Sequence, residues 1–184
     1  MIIWLNGTFG AGKATTATEL TALIPGSRIF DTEEVGVMLR HVLTSETVRD
    51  FQDWRPWRGL VVATATQVLD YVGGLLVIPQ TVLVQQYWRE IRSGFEAADI
   101  PVLHIALHAD RSELTRRIER DIAETGARQW RLKHLDTYET ARSWQSQEAH
   151  VIDTTDLDPA GVAKLIATQA ERTRTATTDQ QQEN

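Results

Sequence analysis

Short apolar runs alternate with longer amphipathic stretches along most of the chain. Five runs have the length and β-branched content of strands buried within a sheet, at residues 2–5, 27–31, 75–79, 102–107 and 149–153. The segments between them carry apolar residues at helical spacing, and we predict helices at residues 14–23, 33–42, 60–71, 85–98, 110–122, 133–144 and 159–171. This alternation predicts an α/β fold in which helices cover both faces of a five-stranded parallel sheet.

The length of the chain and the ends of this pattern indicate one domain. A chain of 184 residues lies within the usual size of a single domain, and we assign residues 1–172 to it. Residues 173–184 are polar and rich in glutamine, so we expect a disordered tail. Residues 123–131 contain glycine and arginine, and we expect them to form a mobile flap.

A glycine-rich loop follows the first predicted strand directly. Residues 7–14 have the Gly-x4-Gly-Lys spacing of a phosphate-binding loop, in which backbone N–H groups face the phosphates and Lys13 reaches the β and γ phosphates. A glycine-rich turn of another kind is the alternative, but the flanking strand and helix favour phosphate binding. We therefore expect ATP to contact Gly7, Phe9, Gly10, Ala11, Gly12, Lys13, Ala14 and Thr15; a preference for ATP over GTP stays open.

One position of this loop departs from the usual pattern. Ala14 stands where a Ser or Thr hydroxyl normally binds Mg²⁺. Thr15 lies about 100° further around the helix and cannot simply replace that hydroxyl. Mg²⁺ commonly keeps several waters and takes one or two protein ligands. We therefore expect Mg²⁺ to be held by ATP oxygens, waters and Asp31, at a depleted metal site.

Composition and charge narrow the range of partners. The net charge of −6 argues against a broad basic surface for nucleic acid or acidic lipid. No window reaches the roughly 20 apolar residues of a membrane helix. The chain has no cysteine, which excludes disulfides and Cys-ligated zinc, and its five histidines lack metal-ligand spacing. We expect a cytoplasmic protein that acts on a small molecule. The sequence does not determine its oligomeric state, and a homodimer is one of the alternatives.

Several segments together resemble the tunicamycin-resistance type of ATP-binding protein, within the P-loop kinase superfamily. They are MIIWLNGTFGAGK, FDTEEVG, DFQDWRPWR, GLLVIPQT, WRLKHLDTYETAR and VIDTTDLDP. The resemblance implies a P-loop kinase fold with an Arg-bearing lid, and nucleotide-dependent protection against a nucleoside-type antibiotic by phosphorylation of one of its hydroxyls. The chain departs from the family pattern at Ala14, where threonine is usual, and at Gln80, where methionine is usual. The second departure bears on the choice of substrate.

The resemblance also implies the position of an acid. It places Asp31 where a carboxylate accepts the proton of the acceptor hydroxyl or holds a metal-bound water. An aspartate at the end of a strand is otherwise often a helix cap, and Asp31 directly precedes a predicted helix. Glu34 is a second candidate for the same pocket, with a solvated helix residue as the alternative.

The arginines after the fourth strand have roles implied by the same resemblance. Arg117 corresponds to an arginine that stacks on the adenine, Arg120 to one that binds the phosphates, and Arg128 or Arg131 to the closing lid. A solvated basic helix face is the alternative, and we prefer it for Arg116. The loop after the fifth strand, with Asp153 and Thr154, is expected to border the base.

We predict the acceptor site in the Trp- and Arg-rich segment at residues 50–58. Indole faces suit a nucleobase, guanidinium groups suit a phosphate, carboxylate or sugar hydroxyl, and glutamine amides suit a uracil-like edge. For Trp57, filling the core between helices is an alternative of nearly equal weight. The predicted acceptor contacts are Asp31, Glu34, Arg40, Gln52, Trp54, Trp57, Arg58 and Gln80.

The function predicted from these features is ATP-dependent phosphorylation of a hydroxyl on a small nucleoside-type antibiotic, carried by Lys13, Asp31 and the arginines at 120, 128 and 131. Two alternatives stay open. One is a resistance protein that binds ATP and sequesters the drug without chemistry, which the depleted metal site favours. The other is a housekeeping nucleoside or nucleotide kinase.

Overall fold

The computed structural model describes residues 1–122 and 125–182, and within them five strands form one parallel sheet. The strands are β1 (Ile2–Asn6), β2 (Ser27–Ile29), β3 (Leu75–Pro79), β4 (Val102–His108) and β5 (His150–Asp153). Their order is β2-β3-β1-β4-β5, and every neighbouring pair is parallel. The carboxyl end of β1 therefore opens at the centre of the sheet, between β3 and β4, where α/β sheets bind ligands.

Seven α-helices cover this sheet within the described residues. They are α1 (Lys13–Leu23), α2 (Glu33–Val42), α3 (Arg55–Val72), α4 (Gln85–Ala97), α5 (Arg111–Arg120), α6 (Arg128–Glu148) and α7 (Pro159–Gln182). Short 3₁₀ helices lie at Phe51–Asp53 and Thr125–Ala127. None of the described helices is long and apolar enough to cross a membrane.

Two apolar clusters, one on each face of the sheet, make up the core. Side chains alternate along a strand, so Ile3 and Leu5 of β1 pack with helices α1 and α7, while Ile2 and Trp4 pack with α3 and α4. All five residues of β1 are buried. This two-sided burial accounts for the continuous apolar runs in the sequence and confirms the predicted α/β fold with helices on both faces.

Several element boundaries differ from the predicted ones. β2 ends at Ile29, and α3 begins at Arg55 rather than residue 60, because proline in its first turn suits a helix start. The predicted acceptor segment at residues 50–58 is therefore largely helical.

The predicted flap and tail also differ from what is observed. α6 begins at Arg128, so residues 128–131 of the predicted flap form its first turn, while residues 123–124 lie outside the described residues. α7 continues to Gln182 rather than ending near residue 171, so residues 173–182 of the predicted disordered tail are helical. The hydroxyls of Thr173 and Thr175 donate to carbonyls one turn earlier, which is compatible with a helix in this polar segment.

Candidate functional site

The glycine-rich loop between β1 and α1 forms a cradle of backbone groups. Gly7, Gly10 and Gly12 have φ values of 134°, 79° and 89°, which only glycine adopts readily. A Cβ atom on Gly7 would lie 2.5 Å from the carbonyl oxygen of Leu107. No side chain caps the start of α1 at Gly12, so the first backbone N–H groups of the helix suit an anion.

Asn6 and Thr81 fix this loop to the segment that follows β3. Asn6 Oδ1 accepts hydrogen bonds from the backbone N–H groups of Gly7 at 2.8 Å and Val82 at 2.9 Å. Thr81 Oγ1 donates to the carbonyl oxygen of Gly7 at 2.8 Å. Sequence reasoning missed both residues. A polar residue that ends a buried strand and directly precedes the loop is the signal that marks Asn6.

Lys13 lies at the base of the cradle. Its Nζ donates to the carbonyl oxygen of Thr8 at 2.9 Å and lies 5.7 Å from the ring centroid of Phe9. Burial lowers the pKa of Lys13 to about 8, although the carboxylate of Glu33 opposes the shift; the charge of Arg131 adds to it. A phosphate would restore the charged form of this lysine.

Phe9 joins the phosphate loop to the first turns of α6. Its ring centroid lies 4.9 Å from that of Trp130 and 5.6 Å from that of His134, and Arg131 Cζ lies 5.3 Å from the Phe9 centroid. Arg131 Nη1 also pairs with Asp121 Oδ2 at 2.6 Å. We call Phe9, Trp130 and His134 the aromatic clasp. Sequence reasoning assigned Phe9 to the nucleotide and missed the other two residues.

A cavity of about 430 Å³ lies beside the loop, at the predicted position of the base. Arg117 lines it and connects three elements: its Nε donates to Glu113 at 2.6 Å, its Nη2 to the carbonyl oxygen of Thr154 at 2.6 Å, and its Nη1 to that of Gly10 at 3.3 Å. Hydrogen bonds from Arg116 and Arg117 lower the pKa of Glu113 to about 2. The wall of the cavity is therefore an ion-paired guanidinium, which suits a planar base.

Two residues that were predicted to contact the nucleotide do not line this cavity. Asp153 is exposed, and its carboxylate accepts the backbone N–H of Thr155 at 2.9 Å. Hydrogen bonds from the Thr155 side chain and backbone lower the pKa of Asp153, so this aspartate shapes the loop after β5. Arg120 is exposed at the last residue of α5 and does not line the cavity. Its predicted contact with the phosphates stays a prediction.

The loop after β2 holds Asp31 in a defined orientation. Asp31 is exposed, and its Oδ1 accepts the backbone N–H of Glu33 at 2.9 Å, so one carboxylate oxygen caps the first turn of α2. The helix-cap interpretation therefore holds for one of the two carboxylate oxygens of Asp31. The other carboxylate oxygen, Oδ2, is the one that a catalytic or metal-binding role would use. That role stays a prediction.

Trp57 and Arg58 do not form an acceptor site. Trp57 is fully buried in the core, which was the alternative interpretation of this residue. Arg58 is buried, its Nε lies 2.6 Å from Glu90 Oε2, and its guanidinium lies over the ring of Tyr87 at 4.2 Å. Both side chains face other helices because α3 begins earlier than predicted, and the prediction that they bind an acceptor is wrong.

Gln52 and Gln80 are buried, and their amides are committed to neighbouring chain segments. Both Nε2 atoms donate to the carbonyl oxygen of Thr81, at 2.9 Å and 3.1 Å, and Gln80 Oε1 accepts from the Thr32 hydroxyl at 2.8 Å. Both amide atoms of Gln80 are thus bonded, and this amide presents no open edge to a base, whereas the contact of Gln52 with an acceptor stays a prediction. Both amides hold the end of β3.

The remaining predicted acceptor residues lie near α2. Arg40 and Trp54 line a cavity of about 230 Å³ between α2 and the 3₁₀ helix at Phe51–Asp53. Trp54 Nε1 donates to the carbonyl oxygen of Glu46 at 3.3 Å. Glu34 is exposed in the first turn of α2. Their contact with an acceptor stays a prediction.

The residues present fit a triphosphate better than a metal ion. The buried Thr8 hydroxyl and the buried Nε of Arg128 have no hydrogen-bond partner within the described structure, which suits phosphate oxygens. Ala14 offers no oxygen, and the Thr15 hydroxyl donates to the carbonyl oxygen of Gly12 at 2.9 Å. Across residues 1–122 and 125–182, no group of three or more acidic or histidine side chains is arranged around a metal position.

Comparisons with known proteins agree with this geometry. A family model described as AAA domain matches residues 2–142. The tunicamycin resistance protein of Deinococcus radiodurans is 30% identical, with 92% of this chain and 94% of that chain covered and a TM-score of 0.69. A gluconokinase from Sinorhizobium meliloti 1021 is 15% identical, with 97% and 95% covered and a TM-score of 0.67. A shikimate kinase from Acinetobacter baumannii is 17% identical, with 94% and 93% covered and a TM-score of 0.61.

The fold and the phosphate cradle define a P-loop protein of the kinase-like class. No curated protein sequence matches the chain. The family model and the relative from D. radiodurans carry the assignment further: the chain belongs to the AAA-domain family and to the tunicamycin-resistance type within the P-loop kinase superfamily. A kinase-like P-loop fold supports a phosphotransferase.

Proposed function

We propose that the protein transfers the γ-phosphoryl group of ATP to a hydroxyl of a small nucleoside-type antibiotic and thereby confers resistance. The observation that carries this proposal is the phosphate cradle, with half-buried Lys13 at its base and the aromatic clasp beside it. The D. radiodurans relative is a tunicamycin resistance protein, which supports an antibiotic as the acceptor. Because ATP is the donor, the proposed site of action is the cytoplasm.

The donor would lie with its triphosphate in the cradle and its base in the neighbouring cavity. The backbone N–H groups of the loop, the Thr8 hydroxyl and Lys13 are the donors for the phosphate oxygens. Arg117 and Thr154, which line this cavity, would border the base. We further propose that the first turn of α6, with Arg128 and Arg131, is the Arg-bearing lid, because Phe9 already holds that turn against the phosphate loop.

The transfer itself is an in-line displacement. The acceptor oxygen bonds to the γ-phosphorus while the bond from that phosphorus to the β,γ-bridging oxygen breaks, and the electron pair leaves with ADP. The hydroxyl proton passes to the carboxylate oxygen of Asp31 that does not cap α2, and from there to water. Lys13 and the arginines of the lid neutralise charge on the phosphoryl oxygens. Mg²⁺, when bound, would be held by phosphate oxygens and by waters, one of which Asp31 would bind, and it would neutralise further charge.

Mass spectrometry of the antibiotic after incubation with the protein, ATP and MgCl₂ tests this function. A panel should contain tunicamycin, other nucleoside antibiotics and ordinary nucleosides. We expect one phosphoryl group to be added to an antibiotic, with loss of the product in Lys13→Met and retention in Lys164→Met, which changes an exposed lysine on α7.

Other outcomes of the same assay identify the alternatives. Tight antibiotic binding without any phosphorylated product would overturn the transferase proposal and favour sequestration, which the lack of a hydroxyl at Ala14 supports. Phosphorylation confined to ordinary nucleosides or nucleotides would identify a housekeeping kinase instead.

A further inference from the structure

We propose that Gln80 and Trp57 are positioning residues that hold Asp31 in place by binding Thr32 from two sides. This role rests on the proposed function, since it gives Asp31 a part in phosphoryl transfer. Neither residue touches an acceptor. Both act through the loop between β2 and α2, at the edge of the sheet where the phosphate cradle lies.

Thr32 is the buried centre of this arrangement, with 1% of its surface exposed. Its hydroxyl donates to Gln80 Oε1 at 2.8 Å, and its carbonyl oxygen accepts from Trp57 Nε1 at 3.0 Å. Gln80 and Trp57 are themselves buried, at 4% and 0% exposure. Water has no easy access to replace either bond, so the loss of one partner leaves a buried polar group unsatisfied.

The orientation of the Gln80 amide follows from its neighbours. Its Nε2 donates to the carbonyl oxygen of Thr81 at 3.1 Å, so Oε1 faces the Thr32 hydroxyl. The backbone carbonyl oxygen of Gln80 accepts from Trp4 Nε1 at 3.2 Å. Gln80 is therefore anchored to the central strand and cannot follow Thr32 if the loop moves.

The same short segment also touches the phosphate loop. Thr81 donates to the carbonyl oxygen of Gly7 at 2.8 Å, directly beside the residue that binds Thr32. Residues 80 and 81 thus set the position of the phosphate cradle on one side and of the Asp31 loop on the other. Because reaction rates are sensitive to shifts of about 1 Å between reacting groups, this segment would define the spacing between donor and acid.

Asp31 is held through Thr32 in a direct way. It precedes Thr32 in the chain, and its Oδ1 binds the backbone N–H of Glu33, the residue after Thr32. Release of Thr32 would loosen both ends of this turn. Methionine at position 80 would offer only a weak acceptor sulfur, so Gln80→Met would remove the acceptor of the Thr32 hydroxyl.

The test is to remove the hydrogen bond between Thr32 and Gln80 and to measure separately how firmly the Asp31 loop is held and how fast phosphoryl transfer proceeds. Thr32→Val and Gln80→Met remove it with little change in volume, and Thr32→Ser keeps the donor. Thr66→Val is the matched control, because the Thr66 hydroxyl bonds only within α3. The readouts are amide hydrogen exchange at Glu33, indole N–H exchange at Trp57, and kcat and KM of phosphoryl transfer.

We expect Thr32→Val and Gln80→Met each to speed exchange at Glu33 by about tenfold and to lower kcat by about tenfold with an unchanged KM for ATP. Thr32→Ser should behave like the wild-type protein, Thr66→Val should change neither readout, and the double variant should be no worse than either single one. Trp57→Phe should act in the same direction through the other bond.

Unchanged exchange at Glu33 in both single variants would overturn the inference, whatever the activity. Faster exchange with unchanged kcat would overturn it as well, since the loop would then be held without consequence for transfer. If the wild-type protein phosphorylates no acceptor, the proposed function fails, and the exchange rates alone decide whether Gln80 holds this loop.

Discussion

The ring centroids of Phe9 and Trp130 lie 4.9 Å apart and join the phosphate loop to the start of α6. The two residues are far apart in sequence, and Trp130 is 45% exposed, whereas every other tryptophan is at least 92% buried. A ligand in the cradle that moves Phe9 or the first turn of α6 would therefore change the surroundings of this indole more than those of any other.

From this contact we expect ATP binding to shift the intrinsic tryptophan fluorescence, with Trp130 as its main source. Trp130→Phe should remove most of the ATP-dependent change while an aromatic contact with Phe9 remains. Trp144→Phe, at the other end of α6, is the control and should retain it. A full response in Trp130→Phe would show that the clasp does not report on the cradle.

Lys13 should make ATP binding depend on pH in the alkaline range. Its pKa is lowered to about 8 by burial, and a bound triphosphate stabilises the charged form, so the bound pKa is higher. Between the pKa of Lys13 in the free protein and its higher pKa in the complex, ATP binding takes up a proton. The affinity for ATP therefore falls by up to tenfold per pH unit as the pH rises above about 8.

Calorimetry at pH 7.5 and pH 9.5, in buffers of different ionisation enthalpy, measures this proton uptake directly. Lys13→Arg keeps a charge that does not titrate in this range, and it should bind ATP with little change over the same pH interval. Equal affinity of the wild-type protein at both pH values would contradict the assignment.

His104 should make the folded state sensitive to acid. Its Nδ1 lies 2.8 Å from the carbonyl oxygen of Glu148, which requires a proton on Nδ1, so Nε2 accepts from Asn6 Nδ2 at 3.3 Å. Protonation of Nε2 would place two donors against each other. Asn6 cannot reverse its amide, because Oδ1 already accepts from Gly7 and Val82.

Burial lowers the pKa of His104 from 6.5 to about 4. Between these two pKa values the unfolded chain binds more protons than the folded one. The contribution of His104 to the free energy of unfolding is therefore fully present above pH 6.5, and it falls by about 3 kcal/mol as the pH drops to 4. Urea unfolding at pH 7 and pH 4.5 should show this loss. His104→Gln should show less of it, and the control His41→Gln, at an exposed site, should retain it in full.

Ala14 can be tested with a pair of variants of equal size. Ala14→Thr introduces the hydroxyl that usually binds Mg²⁺, and Ala14→Val adds the same bulk without it. We expect ATP binding to become several-fold more dependent on Mg²⁺ in Ala14→Thr only, measured by nucleotide titration with and without the metal. The same Mg²⁺ dependence in both variants would mean that the metal is held elsewhere.

The fold could be predicted because its signals are local. The strands of the central sheet are buried on both faces, which leaves continuous apolar runs in the sequence. The phosphate loop is also contained in one short segment. A Cβ atom on Gly7 would collide with the carbonyl oxygen of Leu107, so the structure requires the same glycine that the motif specifies.

The environments of Trp57 and Arg58 could not be predicted as well, because the partners of these side chains are distant in the sequence. Trp57 bonds to Thr32, and Arg58 pairs with Glu90. A tryptophan or arginine has the same appearance in a sequence whether it meets a ligand or another helix. Only the packing of α3 against α2 and α4 distinguishes these two environments.

Asp31→Asn separates the two roles of this aspartate. Asparagine keeps an Oδ1 acceptor for the backbone N–H of Glu33, so the start of α2 should stay capped and the protein should remain folded. The amide cannot accept the hydroxyl proton as a carboxylate does. We expect kcat to fall by about 10²-fold to 10⁴-fold, with the KM for ATP nearly unchanged, as measured by steady-state kinetics. Turnover equal to that of the wild-type protein would leave Asp31 with its capping role alone.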